Sequence, residues 1–136
     1  MKHWLMKSEP DTFSWDHLVE KKRSMWDGVR NHMAAGHMKE MKKGDLAFFY
    51  HSNIGKEIVG IMRVEKEFYP DPTDETGKFV VVDVVPVKPL KTPVTLATIK
   101  ADKKFADMKL VTHSRLSVSP VTAEQWKRLA RMAGGR

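Results

Sequence analysis

The sequence predicts an α+β fold in which a mixed β-barrel of five to six strands carries short helices at its edges. Strand-like segments do not alternate regularly with long helices, which argues against a doubly wound parallel sheet. The apolar segments Leu46–His51 and Glu57–Phe68 flank a short turn and predict a β-hairpin. A chain of 136 residues suits a single domain over residues 1–136 with a hydrophobic core of its own. A small sheet of this kind removes its exposed edges by closing into a barrel.

The N-terminal part of the chain predicts one strand and two capped helices. Residues His3–Lys7 alternate weakly between apolar and polar side chains, as a first strand does. Ser14 is a good N-cap for a helix over Trp15–Lys21. Asn31 is placed to cap a second helix over His32–Met41. The backbone between these helices, around Trp26, has neither a helical nor a strand period and is predicted to be irregular.

The middle of the chain is rich in strand signals and prolines. The segment Lys78–Val87 is the strongest strand candidate because it contains a run of valines. Tyr69–Pro72 is not expected in a central strand, because its two prolines remove two ladder donors. After the valine run, we predict an extended crossing segment that contains Pro86, Pro89 and Pro93.

The C-terminal part predicts two helices and one strand. A short helix is expected over Leu96–Ala101, and a short alternating strand over Arg115–Ser119. Thr122 and Gln125 match a capping box, which predicts the start of an amphipathic helix. Gly134–Gly135 is expected to end that helix.

The composition indicates a partner and excludes several kinds of chemistry. A net charge of +7 favours a polyanion such as nucleic acid, although acidic residues near the basic clusters leave an ordinary solvated surface as an equal alternative. The chain has no cysteine, which excludes disulfides and is compatible with a cytoplasmic location. No apolar run approaches the roughly 20 residues that span a membrane, so we expect no membrane association and no signal peptide.

The candidate site is centred on the stretch Trp26–Asn31, with Phe49–Asn53 predicted to lie beside it. Trp26 offers a wide aromatic face, Arg30 a fork of donors, and Asn31 both a donor and an acceptor. Together these groups suit a flat ring that forms hydrogen bonds, such as a nucleobase. Taken alone, however, this stretch favours the alternative, in which Trp26 is a core aromatic and Arg30 is a structural ion-pair partner.

Further polar and aromatic side chains are predicted at strand ends and adjoining loops, where the mouth of a barrel holds ligands. A flipped base in such a pocket would be stacked on aromatic walls and read along its Watson–Crick edge. The alternative is that these polar groups satisfy one another and the backbone. The candidates outside the central stretch include Lys7, Ser8, His51, Ser52, Asn53 and Tyr69.

The sequence lacks the motifs of the common catalytic and metal sites. Its six histidines are scattered without metal-ligand spacing, so no metal is expected. No serine lies in a nucleophile elbow, and no glycine-rich phosphate loop occurs. Glu9 could act as an acid or base, but a hydrogen-bonding role that locks its loop is favoured. We therefore expect no cofactor and no catalytic residue.

Several motifs, in order along nearly the whole chain, resemble the EVE domain family. That family belongs to the PUA-like superfamily and is similar in shape to the YTH readers of methylated RNA. The resemblance implies a PUA-like mixed β-barrel that binds DNA or RNA and accommodates a modified base. The motifs are Trp4–Pro10, Trp26–Asn31, Gly44–Asp45, Phe49–Asn53, Tyr69–Pro72 and Arg115–Val118.

The resemblance also implies roles for individual residues. Trp26 would be the aromatic wall, and Lys7 with Ser8 would line the strand-end side of the pocket. Arg30 would contact phosphate or brace its loop. The remaining positions would supply hydrogen bonds (Asn31, Ser52 and Asn53) and close the rim (Tyr69 and Pro70).

We therefore predict a monomeric, single-domain module that binds nucleic acid and performs no chemistry. One rival is an enzyme acting on a nucleotide or small molecule, with Glu9 or His51 as the acid or base. The other is a protein-interaction module with a vestigial pocket. The sequence does not distinguish DNA from RNA or name the modification.

Overall fold

The structure is a computed structural model that describes residues 1–134. Its elements are six strands and five α-helices, with a 3-10 turn over Lys103–Phe105. The strands are β1 (His3–Ser8), β2 (Ser24–Met25), β3 (Leu46–His51), β4 (Glu57–Pro70), β5 (Val80–Thr95) and β6 (Val118–Val121). The helices are α1 (Trp15–Lys21), α2 (His32–Glu40), α3 (Leu96–Ala101), α4 (Lys109–Thr112) and α5 (Ala123–Met132).

The strands form one mixed sheet in the order β2-β5-β4-β3-β1-β6. Strand β1 runs parallel to β3 and antiparallel to β6, and the predicted hairpin of β3 and β4 is confirmed. The register pairs Ser8 with His51, so the carboxyl ends of β1 and β3 lie side by side. The polar residues Ser8 and His51, at the ends of these strands, therefore lie next to each other.

The sheet is open, so the prediction of a closed barrel is wrong although the α+β class is confirmed. Within residues 1–134, no ladder joins β2 to β6, which occupy opposite ends of the strand order. Strand β2 has two residues and β6 has four. Strands this short offer few ladder hydrogen bonds for closure, and short edge strands also limit pairing with other chains.

Strands β4 and β5 are longer than predicted. Tyr69 and Pro70 pair with Val81 and Val80 at the end of β4, so excluding them from a central strand was wrong. Strand β5 likewise continues through the predicted crossing to Thr95. Register shifts interrupt the β4–β5 ladder at several points, and proline is tolerated at such irregular positions and at strand ends.

Three predicted helix starts are confirmed by their caps. The side chains of Ser14, Asn31 and Thr122 accept the backbone N–H groups of His17, Ala34 and Gln125. The last predicted strand starts three residues late and ends two residues late, since β6 spans Val118–Val121 instead of Arg115–Ser119. The predicted end of α5 falls partly on Gly135, which lies outside the described residues.

Both faces of the sheet are covered by apolar side chains. Trp4, Met6 and Phe49 belong to the cluster on one face, while Leu5 and Phe48 belong to the cluster on the other. This alternation follows from the two-residue period of a strand. Helices α1 and α2 contribute to the first cluster and α5 to the second. No helix within residues 1–134 has the length and apolarity required to cross a membrane.

Candidate nucleic-acid interface

A cavity of about 240 Å³ lies beside the carboxyl end of β1. Lys7 and Ser8 line it from the strand, and Trp26 lines it from the segment after β2. The loop before α1 adds Thr12 and Phe13. Three of the residues predicted for the site, separated by up to 19 positions in the chain, therefore share one cavity.

Trp26 forms part of the cavity wall but is mainly a core residue. Its exposure is 6%, and its ring meets those of Phe13 and Phe49 edge to face, with ring centroids 6.2 Å and 5.3 Å away. The contact with Phe49 brings the two candidate stretches together, as the sequence predicted. The same packing agrees with the alternative interpretation from the sequence, in which Trp26 is a core aromatic. Phe13 is only partly buried and offers a more accessible aromatic surface.

Lys7 and Ser8 are held by main-chain acceptors. The Lys7 ammonium donates to the carbonyl of Ser114 at 2.9 Å and lies 5.9 Å from the ring centroid of Tyr50. Partial burial lowers the pKa of Lys7, because removal from water disfavours its charged form. The Ser8 hydroxyl donates to the carbonyl of Phe13 at 2.6 Å. A lysine has three donors, so this arrangement leaves capacity for a ligand.

Arg30 is joined to a buried carboxylate in the turn after β4. Its guanidinium donates to Asp71 at 2.9 Å and to the hydroxyl of Thr73 at 3.0 Å. The Asp71 side chain has 0% exposure and also accepts the backbone N–H of Gly28. This contact corresponds to the loop-bracing role, and Arg30 keeps 41% side-chain exposure.

The pKa of Asp71 reflects two opposed effects. Burial raises the pKa of this carboxyl, whereas hydrogen bonds from Thr73, Arg30 and Gly28 lower it, and the result is a pKa of about 2. The carboxylate is therefore ionised at neutral pH. It holds the Trp26 stretch against the end of β4 by charge-assisted hydrogen bonds.

The other predicted site residues do not line this cavity. Ser52 and Asn53 belong to the turn after β3, where the Ser52 N–H donates to the Ser8 carbonyl at 2.9 Å. Asn31 is exposed, and its side-chain oxygen is used in capping α2. Tyr69 donates its hydroxyl to Asp83 at 2.5 Å, and this contact and burial raise its pKa to about 12. Pro70 precedes Asp71 at the end of β4.

Glu9 and His51, the acid or base candidates of the alternative enzyme hypothesis, both have structural contacts. The Nε2 atom of His51 accepts the backbone N–H of Trp15 at 3.1 Å, at the start of α1. Burial lowers the pKa of His51, so the neutral ring required for this contact is favoured. The main-chain carbonyl of Glu9 accepts two N–H groups from its own turn. Across residues 1–134, no group of three or more His, Asp or Glu side chains is arranged to hold a metal.

Sequence reasoning missed several residues of this region. Phe13, Lys21 and Asp27 line the cavity, and Asp71 anchors the adjacent loop. Phe13 had a usable signal, because an apolar residue directly before a helix N-cap commonly packs on the structure around that helix. Asp71 lies in the Tyr69–Pro72 motif, but its contact with Gly28 could not be predicted, since the two residues are 43 positions apart.

The open mixed sheet with helices on both faces defines a small α+β protein, and the cavity lies at the end of one of its strands. The model of the EVE domain matches residues 2–132, and the chain belongs to the EVE domain family. The family predicted from the motifs is thus confirmed.

Relatives and solved structures agree with this membership. Human thymocyte nuclear protein 1 is 35% identical over 158 aligned residues, which cover 91% of this chain and 70% of that protein. Rpa0253 of Rhodopseudomonas palustris, solved by NMR, is 58% identical with a TM-score of 0.92 and covers 98% of this chain and 94% of its own. Human THYN1, crystallised with DNA containing 5-methylcytosine, is 34% identical with a TM-score of 0.90 and covers 100% of this chain and 99% of its own.

Proposed function

We propose that this protein binds nucleic acid and holds a modified nucleobase, of the cytosine type, in the cavity beside β1. The protein acts as a reader and performs no reaction on the base. The observation that carries the proposal is the convergence of Lys7, Ser8 and Trp26, together with Phe13, on one cavity. A cation, a hydroxyl and aromatic rings around one space are the groups that hold a flipped base.

The known complex of a relative supports this choice of ligand. Human THYN1 has been crystallised with DNA that contains 5-methylcytosine, and its chain matches the present one over its whole length. The net charge of +7 suits a polyanionic partner, since lysine and arginine near phosphates release counterions on binding.

The polar groups of the cavity are complementary to cytosine. Asp27, which is exposed and lines the cavity, supplies an acceptor suited to the N4 amino group of cytosine. Lys7 supplies a donor for the acceptors on the same base edge. Partly buried Phe13 provides an accessible aromatic wall, and buried Trp26 provides a second one.

The surrounding predicted residues have proposed roles outside the cavity. Ser52, Asn53 and Asn31 donate hydrogen bonds to the sugar or phosphates next to the bound base. Arg30 braces the Trp26 stretch through Asp71 and presents its exposed donors to phosphate. Tyr69 and Pro70 form the rim at the end of β4. We further propose a monomer acting in the cytoplasm, an environment that suits a chain without cysteine.

The proposal is tested by titrating short labelled oligonucleotides with the protein and measuring fluorescence anisotropy. The panel contains plain and modified cytosine and adenine in DNA and RNA, at two salt concentrations. Trp26→Phe is the test variant. Trp126→Phe is its matched control, because Trp126 is also buried but stacks on Phe48 in the cluster on the opposite face.

The expected result is a higher affinity for a modified cytosine, reduced in Trp26→Phe and kept in Trp126→Phe. Removing a whole aromatic contact costs about 1–3 kcal/mol, and phenylalanine keeps part of the stacking surface, so the fall in affinity should lie at the lower end of that range, roughly fivefold. Weak binding that ignores the modification and disappears with salt would overturn the base-reading proposal. Turnover of a nucleotide that stops in a Glu9→Gln variant would favour the enzyme instead.

A further inference from the structure

A second, more open cavity of about 430 Å³ adjoins the first along helix α1. The two cavities share Thr12, Phe13 and Lys21, and the second adds His17 and Glu20. We propose that the second cavity holds the base next to the one bound in the first, with the linking phosphate at Lys21. This inference rests on the proposed function and assigns the protein a second nucleotide subsite.

The wall of the second cavity is an aromatic pair suited to stacking. The rings of Phe13 and His17 are stacked, with centroids 6.0 Å apart and planes inclined by 29°. His17 is exposed, so a base can extend this stack from the solvent side. Base–aromatic stacking tolerates any base, because every base has a π face.

The His17 ring is fixed before any ligand arrives. Its Nδ1 atom accepts the backbone N–H of Ser14 at 2.9 Å, as part of the capping box of α1. In the neutral ring this leaves the proton on Nε2, which is then a donor. An aromatic side chain held in one orientation loses little conformational entropy when a base stacks on it.

Lys21 stands where the two cavities meet. It lies one helical turn beyond His17 on the same face of α1, and its ammonium is 5.9 Å from the ring centroid of Phe13. Two consecutive bases are joined by one phosphodiester, which must pass between them. A cation that lines both cavities is placed to contact that phosphate.

Glu20 determines what the second cavity excludes. Its carboxylate would repel a phosphate placed inside this cavity, so the phosphate belongs at the Lys21 side. A carboxylate accepts hydrogen bonds from amino groups. The second subsite should therefore favour a neighbouring base with an exocyclic amino group over thymine.

The test uses a single-stranded DNA hexamer with one internal 5-methylcytosine. Two further hexamers carry one abasic site each, either directly 5′ or directly 3′ of that base. His17→Ala should weaken binding of the intact hexamer roughly five- to a hundredfold and leave one abasic hexamer unaffected. His17→Phe should restore the affinity, because stacking is retained while the capping bond is not. That rescue separates a ligand contact from a loss of helix stability.

Lys21→Gln is compared with Lys39→Gln, since both lysines lie in the last turn of a helix and Lys39 lines neither cavity. Only Lys21→Gln should reduce the salt slope of hexamer binding, by about 0.7 for one phosphate on a single strand. Binding of 5-methyl-dCMP, the mononucleotide, should be insensitive to His17→Ala.

The outcomes distinguish the two proposals. Mononucleotide and hexamer binding that depend on Trp26 but ignore His17 and Lys21 would overturn the second subsite and leave the base pocket intact. Absence of any binding by the unaltered protein would overturn both. Equal losses in the intact and both abasic hexamers would also overturn the second subsite, because His17 would then act only through the fold.

Discussion

The carboxylate of Asp71 accepts the backbone N–H of Gly28 at 3.0 Å. Gly28 has φ +80°, a conformation that suits glycine, and its N–H is thereby directed at a carboxylate 43 positions away. The same carboxylate receives Arg30 and Thr73. One buried anion therefore fixes the course of the Trp26 stretch against the end of β4, although it lines no part of the cavity beside β1.

Replacing Asp71 with asparagine should destabilise the protein by about 2–3 kcal/mol. The figure lies below that for breaking a fully buried pair because Arg30 remains partly solvated. Urea unfolding of Asp71→Asn measures it, with Asp11→Asn, an exposed acid, as the control. A loss no larger than that of the control would contradict the anchoring role.

The stability of the unaltered protein should also fall in acid because of Asp71. Its pKa is about 2 in the folded chain, below the ordinary value of 3.8, so its contribution is complete above pH 4 and is lost as the pH falls toward 2. The linked loss is on the order of 2 kcal/mol. The difference in unfolding free energy between the unaltered protein and Asp71→Asn should shrink over this range, and a constant difference would disprove the assignment.

Gly60 and Gly36 should respond oppositely to alanine. A Cβ at Gly60 would lie 2.6 Å from the Trp15 indole, so Gly60→Ala should cost about 1–3 kcal/mol through overpacking. A Cβ at Gly36 in α2 meets nothing within 4 Å, so Gly36→Ala should stabilise the protein by about 0.5–1 kcal/mol. Urea midpoints measure both changes. Equal effects at the two positions would show that Trp15 does not depend on close approach to β4.

His51→Gln should flatten the dependence of stability on pH below about 6.5. Burial lowers the pKa of His51 in the folded chain, so the unfolded chain takes up a proton first and stability falls as the pH drops below the ordinary value of 6.5. Glutamine retains an acceptor for the Trp15 N–H without titrating in this range. Denaturation at several pH values measures the slope, and His32→Gln, an exposed histidine, provides the comparison. An unchanged slope in His51→Gln would mean that the ring is not held neutral by the fold.

Lys7 should make oligonucleotide binding sensitive to alkaline pH. Burial lowers its pKa below the usual 10.5, so its charge is lost at a lower pH than that of an exposed lysine. Affinity should therefore begin to decline below the pH at which an exposed lysine loses its charge, and less so in Lys7→Arg, whose guanidinium stays charged. Lys39→Arg is the control. Parallel profiles for all three proteins would indicate that Lys7 does not touch the ligand.

Local signals in the sequence predicted the helices well. Ser14, Asn31 and Thr122 each satisfy an N–H group three residues away, and an interaction of that range is visible in a short stretch of sequence. The two-residue strand β2 had no such signal, since its existence depends on pairing with Asp83 and Val84. The open sheet is equally non-local, because closure depends on the lengths of strands at opposite ends of the order.

The candidate site was likewise predicted only in part. Strand ends and the family resemblance were sufficient to predict Lys7, Ser8 and Trp26 for one site, and the structure brings them to one cavity. The sequence could not show that the side-chain oxygen of Asn31 caps α2, or that the Tyr69 hydroxyl donates to Asp83. Those partners are chosen by the tertiary fold, so residue type alone does not indicate which polar groups remain available.

The position of β1 between β3 and β6 has a consequence for how the chain is made. Strand β1 pairs on one side with β6, through His3 and Val121. One side of β1 therefore lacks its neighbour until translation has passed residue 121. Contacts of such wide sequence separation slow folding, because a long loop must close before they form. During synthesis, the incomplete sheet exposes one unpaired side of β1, which cellular chaperones are suited to cover.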